Sequence, residues 1–260
     1  MIAFSHKPGL VAYLTCGDPD LTTTRSVALA AIDAGADVIE LGVPFSDPVA
    51  DGPVIQRASE RALKSGTSLK QVLAVGAELR KQRPKAGLII FTYFNPALRI
   101  GLQNFVQQLA AVGVDGALIT DLTVEEADEY IAAMRAQNLA TVFLAAPTST
   151  DMRLKAIAAA SRAFIYAVSR TGVTGQQEQL AVDAAELVNR IRRFTTLPVA
   201  VGFGISGPEQ FQAVGEFADV AVIGSAIVSI VEKHGPNSDE PVAKFIRSLR
   251  VGRSVAQAER

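Results

Sequence analysis

Ala34-Gly35-Ala36-Asp37-Val38-Ile39-Glu40-Leu41-Gly42 is the stretch on which the fold turns. It follows a segment of helical composition, Thr22 to Ala34, and places a glycine where a helix ends, the ordinary C-cap device. After Asp37 the chain becomes a short apolar run. The same step recurs as Val112-Gly113-Val114-Asp115 and, without the glycine, as Glu216-Phe217-Ala218-Asp219, each ending a helical segment and starting an apolar run. A repeated helix-to-strand turn is the signature of a chain built from βα units.

Working outward, eight short apolar or β-branched runs can be marked: Leu10 to Leu14, Val38 to Leu41, Leu88 to Thr92, Ala117 to Thr120, Thr141 to Ala145, Phe164 to Val168, Val199 to Gly202 and Val220 to Ile223. They are apolar almost throughout, as strands covered on both faces are. Between them lie helical candidates at Thr22 to Ala34, Leu69 to Lys81, Leu102 to Val112, Val124 to Gln137, Asp151 to Ser161, Gln179 to Arg193 and Pro208 to Phe217, with a terminal stretch from Ser225. In Val124 to Gln137, Ala127, Tyr130, Ile131 and Met134 recur at spacings of three and four, which predicts one apolar helix face. Eight units in 260 residues leave about 32 residues each, the size of a βαβ repeat. No Pro/Ser/Gly-rich linker interrupts the series, so residues 1–260 read as one α/β domain, a single (β/α)8 TIM barrel. A doubly wound open sheet is the alternative that alternation alone does not remove.

Composition narrows the function. Lys+Arg number 25 against Asp+Glu 26, for a net charge of -1, so there is no field to steer a polyanion and nucleic acid is not an expected partner. The longest apolar stretch, Val220 to Val231, is shorter than the ~18 residues of a membrane span. The opening residues, broken by Ser5, His6, Lys7 and Pro8, lack the apolar core of an export signal. Cys16 is the one cysteine, which excludes an intrachain disulfide and a thiolate metal cage and fits a reducing, cytoplasmic setting. Beside Gly17 and Asp18, with no histidine near it in sequence, Cys16 reads as a small core residue rather than a nucleophile. His6 and His234 stand apart in the sequence and suggest no metal cluster.

In either architecture ligands bind beyond the carboxyl ends of the strands. After the second run comes Glu40-Leu41-Gly42-Val43-Pro44-Phe45-Ser46-Asp47-Pro48-Val49-Ala50-Asp51-Gly52-Pro53, with three prolines, two glycines and three carboxylates, too specialised for a mere connector. Glu40 inside an apolar segment is either a proton-transfer group with a raised pKa or a carboxylate paired to a buried Arg or Lys; both readings stay open. Asp51, before Gly52 and Pro53, reads as a turn or N-cap residue when taken alone, yet such a loop can fold back over a barrel mouth. Three glycine-bearing segments, Thr171 to Gly175, Gly202 to Ser206 and Ile223 to Ala226, are candidates for phosphate binding by backbone N–H groups. Two of them follow the last two runs, where barrels often hold phosphate. Tyr166 either faces the barrel centre or fills a core layer. No lysine lies in any of the eight runs, which speaks against a Schiff-base aldolase.

On these residues the sequence resembles the tryptophan synthase alpha subunit family over nearly its whole length. The resemblance is carried by Leu14-Thr15-Cys16-Gly17-Asp18-Pro19, the long segment from Glu40 to Gln56, Tyr93-Phe94-Asn95-Pro96, Ser169 to Gly175, Gly202 to Ser206 and Gly224 to Val228. It implies a barrel that cleaves indole-3-glycerol phosphate to indole and glyceraldehyde 3-phosphate. Glu40 then matches the family's acid/base glutamate and Asp51 its aspartate near the indole nitrogen. Thr174 matches a loop residue that contacts that aspartate, and Tyr166 an active-site tyrosine. Gly175, Gly204, Gly224 and Ser225 match the phosphate site, and Tyr13, Phe91 and Leu118 the indole pocket. The resemblance further implies a beta subunit as partner in an α2β2 assembly, docking near Phe45, Asp47, Pro48 and Asn95. Pyridoxal phosphate is then expected in that partner, with no cofactor and no metal in this chain. Rival readings are a phosphosugar isomerase or epimerase, a standalone lyase of the same fold, and a non-catalytic regulatory subunit that binds phosphate. The first gives no reason for the Glu40 to Gln56 segment, and intact Glu40 and Asp51 speak against the last.

Overall fold

Alternation along each strand, rather than overall hydrophobicity, organises the molecule. A computed structural model describes residues 2–168, 177–202 and 204–250. Its strands are β1 (Gly9–Thr15), β2 (Val38–Gly42), β3 (Gly87–Thr92), β4 (Gly116–Ile119), β5 (Ala140–Val142), β6 (Leu144–Ala145), β7 (Ile165–Val168), β8 (Val199–Gly202) and β9 (Val220–Ile223). All pair in parallel, in the order β5-β4-β3-β2-β1-β9-β8-β7-β6. The two ends of that order, β5 and β6, are halves of one chain segment joined at Phe143. Arg162 N donates to Thr141 O at 3.0 Å and Tyr166 N to Phe143 O at 3.1 Å, which carries the ladder across the join. The sheet therefore closes on itself, and the open doubly wound alternative falls.

Around it lie α1 (Leu21–Asp33), α2 (Pro53–Lys64), α3 (Leu69–Gln82), α4 (Phe94–Ile100), α5 (Leu102–Val112), α6 (Asp128–Ala136), α7 (Asp151–Ala160), α8 (Gln177–Arg192), α9 (Pro208–Phe217), α10 (Ser225–His234) and α11 (Asp239–Arg250). Outward strand residues such as Leu10, Ala12, Ile39, Leu41, Leu88 and Ile90 join the helices in one large core. Inward residues Val11, Val38, Ile89, Leu118, Val142, Ala200 and Val220 form a separate inner cluster. A Leu or Ile fully buried this way contributes about 2 kcal/mol, and the period of two decides which core each residue joins. At the amino end of the barrel Phe4 meets Phe164 edge-on, with centroids 6.1 Å apart, and closes the inner cluster from below.

Five sequence expectations need correction. The fifth run is two strand segments, although its side chains keep alternating, with Ala140, Val142 and Leu144 in or against the inner cluster and Phe143 and Ala145 in the outer core. Helix α2 was not expected, because its pattern is mostly polar and its buried face is only Ala58, Ser59 and Ala62; Pro53 at its first position was the available signal. Helix α4, also unexpected, is only seven residues long with Ala97 its one buried residue, too short for a period to show. The terminal stretch is two helices, because Gly235 takes φ +56° and Pro236 has no N–H to continue α10. In the Val124 to Gln137 candidate, a 3-10 turn at Val124–Glu126 precedes α6, so the predicted apolar face is carried mainly by the helix itself.

The three turns singled out in the sequence share a side-chain bond. Asp37 Oδ2 accepts from Leu10 N at 2.8 Å, Asp115 Oδ2 from Leu88 N at 2.8 Å and Asp219 Oδ2 from Val199 N at 3.0 Å. Each aspartate at a helix-to-strand turn thus satisfies an amide at the start of the strand before it, fastening successive βα units together. Gly35 and Gly113 adopt φ of +110° and +75° just ahead of the first two, the left-handed conformation that a side chain resists. Asp115 also accepts from Arg80 Nη2 at 2.6 Å, and Arg80 spans the carbonyls of Gly113, Pro84 and Ala86. Asp115→Ala is expected to lower unfolding free energy by about 2 kcal/mol, the scale for stranding a part-buried amide and a charged donor together. Urea denaturation of the two proteins checks it.

Candidate active site

Glu40 is the middle residue of β2 and faces inward, in register with Tyr13 on β1 and Ile89 on β3. It is 1% exposed. Neither carboxylate oxygen has a hydrogen-bond partner among the described residues, and none of those residues is the buried Arg or Lys that the sequence left open. Desolvation pushes its pKa from the ordinary 4.5 up to about 8.

Asp51 arrives from the other direction, on the loop between β2 and α2. Its amide donates to Pro48 O at 3.0 Å, and its carbonyl accepts from Gln56 Nε2 at 2.8 Å. The N-cap of α2 is Gly52, with no side-chain cap bond, so the capping role that Asp51 suggested in isolation is not its role. Instead the carboxylate accepts from the Tyr93 hydroxyl, Oδ2 to Oη 3.0 Å, while Tyr93 Oη accepts from Ala50 N at 3.0 Å. Burial raises the Asp51 pKa to about 6, against the opposing pull of the Tyr93 hydrogen bond.

Both carboxyls open on one cavity of about 500 Å³ at the carboxyl ends of the strands. Its wall brings together Tyr13, Phe91 and Tyr166 from the barrel with Gly204, Gly224 and Ser225 from the late loops. Burial lifts the Tyr13 and Tyr166 hydroxyls well above the usual phenol range, and the Asp51 and Glu40 charges add to the shift of each. Both phenols are therefore neutral donors at ordinary pH. Room for them comes from strand glycines: a Cβ on Gly42 would strike the Tyr13 hydroxyl, and one on Gly202 the Tyr166 hydroxyl. Tyr13 and Phe91 meet edge-on with centroids 5.0 Å apart, giving the cavity an apolar aromatic wall.

Among the late loops Gly204 has φ +79° and open space where a Cβ would stand. Gly224 is the N-cap of α10, without a side-chain cap bond, and Ser225 is the first residue of that helix. Their amides are placed for an anion. No Lys, Arg or His is among the described lining residues.

Leu118 is not on the cavity wall. It is fully buried in the inner cluster and paired with Phe91 in the ladder, so it supports the aromatic wall from below. Thr174 and Gly175 lie outside the described residues. Tyr93 was missed as a site residue, although its position just past β3 was the signal available. Wall residues contributed by neighbouring positions, Ile55, Thr120, Leu144, Val168 and Val222 among them, were missed because nothing in their local sequence sets them apart. At the rim, Phe45 stacks on Tyr93 with centroids 4.9 Å apart, Asp47 and Asn95 are exposed and Pro48 is half-buried. Cys16 is buried and its thiol pKa is raised by burial, in keeping with a core residue.

The chain matches a family model for the tryptophan synthase alpha chain over residues 3–257. It is 48% identical over 249 residues to the tryptophan synthase alpha chain of Solibacter usitatus, covering 95% of this chain and 93% of that one. With the corresponding chain of Cupriavidus metallidurans it shares 45% over 249 residues, covering 96% and 92%. A solved chain from the tryptophan synthase complex of Pyrococcus furiosus superposes with a TM-score of 0.86 at 38% identity, covering 94% of this chain and 98% of that chain. The family model spanning residues 3–257 and relatives of 45–48% identity over nearly the whole chain show that the chain belongs to the tryptophan synthase alpha chain family.

Proposed function

We propose that Glu40 and Asp51 carry the reaction of this family in this chain, the retro-aldol cleavage of indole-3-glycerol phosphate to indole and glyceraldehyde 3-phosphate. The observation that carries the assignment is Glu40 itself: a fully buried carboxyl with no hydrogen-bond partner among the described residues, facing a cavity large enough for the substrate. A pKa of about 8 leaves Glu40 protonated at neutral pH, able to deliver its proton to indole C3. That step turns the ring into an indolenine, an electron sink. The resulting carboxylate then takes the proton of the glycerol hydroxyl next to the ring, and the carbon–carbon bond breaks as its electrons return to indole. Asp51, ionised above about pH 6, stabilises the positive charge that develops at the ring nitrogen. The Tyr93 hydrogen bond keeps the Asp51 carboxylate oriented.

The phosphate is assigned to the backbone amides around Gly204, Gly224 and Ser225, with Gly175 completing the set, and the indole ring to the wall of Tyr13, Phe91 and Tyr166 over Leu118. Thr174 is assigned the contact that closes over Asp51. Each step moves a proton between a carboxyl and the substrate, so the reading assigns no cofactor or metal to this chain.

A beta subunit is the proposed partner, in an α2β2 assembly, and pyridoxal phosphate is assigned to that subunit. Solved structures from Pyrococcus furiosus that resemble this chain are described as a tryptophan synthase complex and as the tryptophan synthase α2β2 complex. The docking face is Phe45, Asp47, Pro48 and Asn95, beside the exposed apolar side chains Val49 and Leu98, which are 85% and 53% exposed. The proposed location is the cytoplasm; no helix among the described residues is long and apolar enough to cross a membrane.

Replacing Glu40 with Gln is expected to lower turnover by ~10²- to 10⁴-fold, read as indole released from indole-3-glycerol phosphate. The same variant is expected to be more stable than the parent above pH 7. The folded-state pKa of Glu40 lies above its ordinary 4.5, so its stabilising contribution is full below pH 4.5 and is lost as pH rises through about 8. Glutamine has no proton to lose, and chemical denaturation across pH 5–9 should show the parent falling relative to the variant.

For the isolated chain, kcat/KM is expected to rise through about pH 6 as Asp51 ionises and to fall above about pH 8 as Glu40 loses its proton. Asp51→Asn should abolish the acid limb along with most of the activity. A flat profile from pH 5 to 9 would remove both assignments.

Asp47→Ala is expected to reduce, at least several-fold, the activation of indole release by an added beta subunit. A chain already fully active alone, with no beta subunit bound, would point to the standalone lyase instead.

A further inference from the structure

Helix α2 and its C-cap residue carry three polar side chains on one stripe, Arg57, Arg61 and Ser65, four residues apart and so on one face. Arg57 places Nε on Glu232 Oε1 and Nη2 on Glu232 Oε2, both at 2.9 Å. Arg61 forks onto Asp18, with Nε to Oδ1 at 2.7 Å and Nη2 to Oδ2 at 2.8 Å, and its Nη1 reaches Glu232 Oε1 at 2.8 Å. Ser65 Oγ lies 3.2 Å from the Gly17 carbonyl oxygen, to which it donates. One face of α2 is thus fastened to the loop after β1 and to the far end of α10.

Two features of this network run against stability taken alone. The Asp18 side chain is only 3% exposed, and burying a charge costs desolvation that pairing returns only in part. Glu232 stands in the last turn of α10, where the helix dipole disfavours a carboxylate. Local rules broken together in this way point to a geometric requirement. The elements it joins show which one. Helix α2 begins two residues after Asp51, and α10 begins at Ser225 on the anion side of the cavity. Between the two helices Ala58 and Val228 are buried against Tyr13.

We propose that Arg61 is a positioning residue for the cleavage reaction: by clamping α2 to α10 and to the loop after β1, it fixes the span between Asp51 and the phosphate cradle at Gly224 and Ser225. The proposal rests on the roles given to Asp51 and to that cradle above. A twelve-residue helix is ~18 Å long, so a tilt of about 3° about its clamped end moves its start by about 1 Å. A shift of that size costs up to ~100-fold when two groups must meet one substrate. A ligand that touches only one end does not sense the span.

The test compares a spanning ligand with a half-ligand. Arg61→Ala is expected to lower kcat/KM for indole-3-glycerol phosphate by ~10- to 100-fold, mainly in kcat, while the Kd of glycerol 3-phosphate stays within about threefold. Arg61→Lys, which cannot fork onto Asp18, should recover part of the loss. Glu232→Gln should fall in the same direction by a smaller factor, and combining it with Arg61→Ala should cost less than the product of the two. A folded Arg61→Ala chain with parental kcat/KM would overturn the proposal. So would a parallel loss of glycerol 3-phosphate binding, since general loosening weakens both ligands alike. Should Arg61→Ala fail to fold, Glu232→Gln decides, and unchanged kcat/KM there overturns the clamp. Absence of indole release from the parent chain would instead remove the functional reading beneath it, and glycerol 3-phosphate binding to the parent tells the two failures apart.

Discussion

An ionisable carboxyl held inside a parallel barrel with no hydrogen-bond partner among the described residues is the constraint to which the rest of this molecule answers. At pH values above about 8 the buried Glu40 costs the folded state on the order of 5 kcal/mol, a large fraction of the ~5–15 kcal/mol by which domains are stable. A chain accepts that only where the surrounding structure cannot relax to solvate the group. The barrel supplies this rigidity. Glu40 sits mid-strand between two neighbours in register, its backbone fixed by ladders on both sides, with apolar layers beneath. The aspartate bonds at Asp37, Asp115 and Asp219 that fasten one βα unit to the next keep the ring from opening to water.

The two carboxyls are treated differently, and the difference follows from their supports. Glu40 is carried by a strand and shielded on every side, which drives its pKa furthest. Asp51 is carried by a loop, more open, and compensated by a phenol hydrogen bond. One group is therefore neutral and the other charged over the pH range between them, a separation that suits one to give a proton and the other to stabilise positive charge. The same cavity needs neutral aromatic walls, and the carboxyls help keep them so by raising the Tyr13 and Tyr166 pKa values further.

Most of the architecture was legible in the sequence because parallel strands announce themselves: Val199 to Val201 and Val220 to Ile223 are apolar on both faces, and Gly35 and Gly113 mark helix ends by a conformation few residues adopt. Helices α2 and α4 were not legible, since α2 buries only three small side chains and α4 is too short to show a period. The split at Phe143 was invisible because side-chain alternation passes through it unbroken. For the site, Glu40 stood out as a charge in an apolar run. Whether it was paired could not be read, because the absence of a partner is a three-dimensional fact. Tyr93 and Arg61 were illegible for a related reason: each acts on a group far away in sequence, 42 and 43 positions in the case of Tyr93 to Asp51 and Arg61 to Asp18.

The rim ties the proposed docking face to the chemistry through few atoms. Phe45 stacks on Tyr93, and Tyr93 holds both the Ala50 amide and the Asp51 carboxylate. Proline at positions 44, 48 and 53 limits how far the loop between can rearrange. Pressure on Phe45 therefore has one short route inward, a ring displaced against the phenol that orients Asp51. The Arg61 clamp acts from the other end of the same segment, fixing α2 and so the point from which the Asp51 loop departs. Between them the loop has an adjustable outer support and a rigid inner one. A partner that settles the outer support can shift the population of the competent Asp51 position without disturbing Glu40, whose strand neither contact touches.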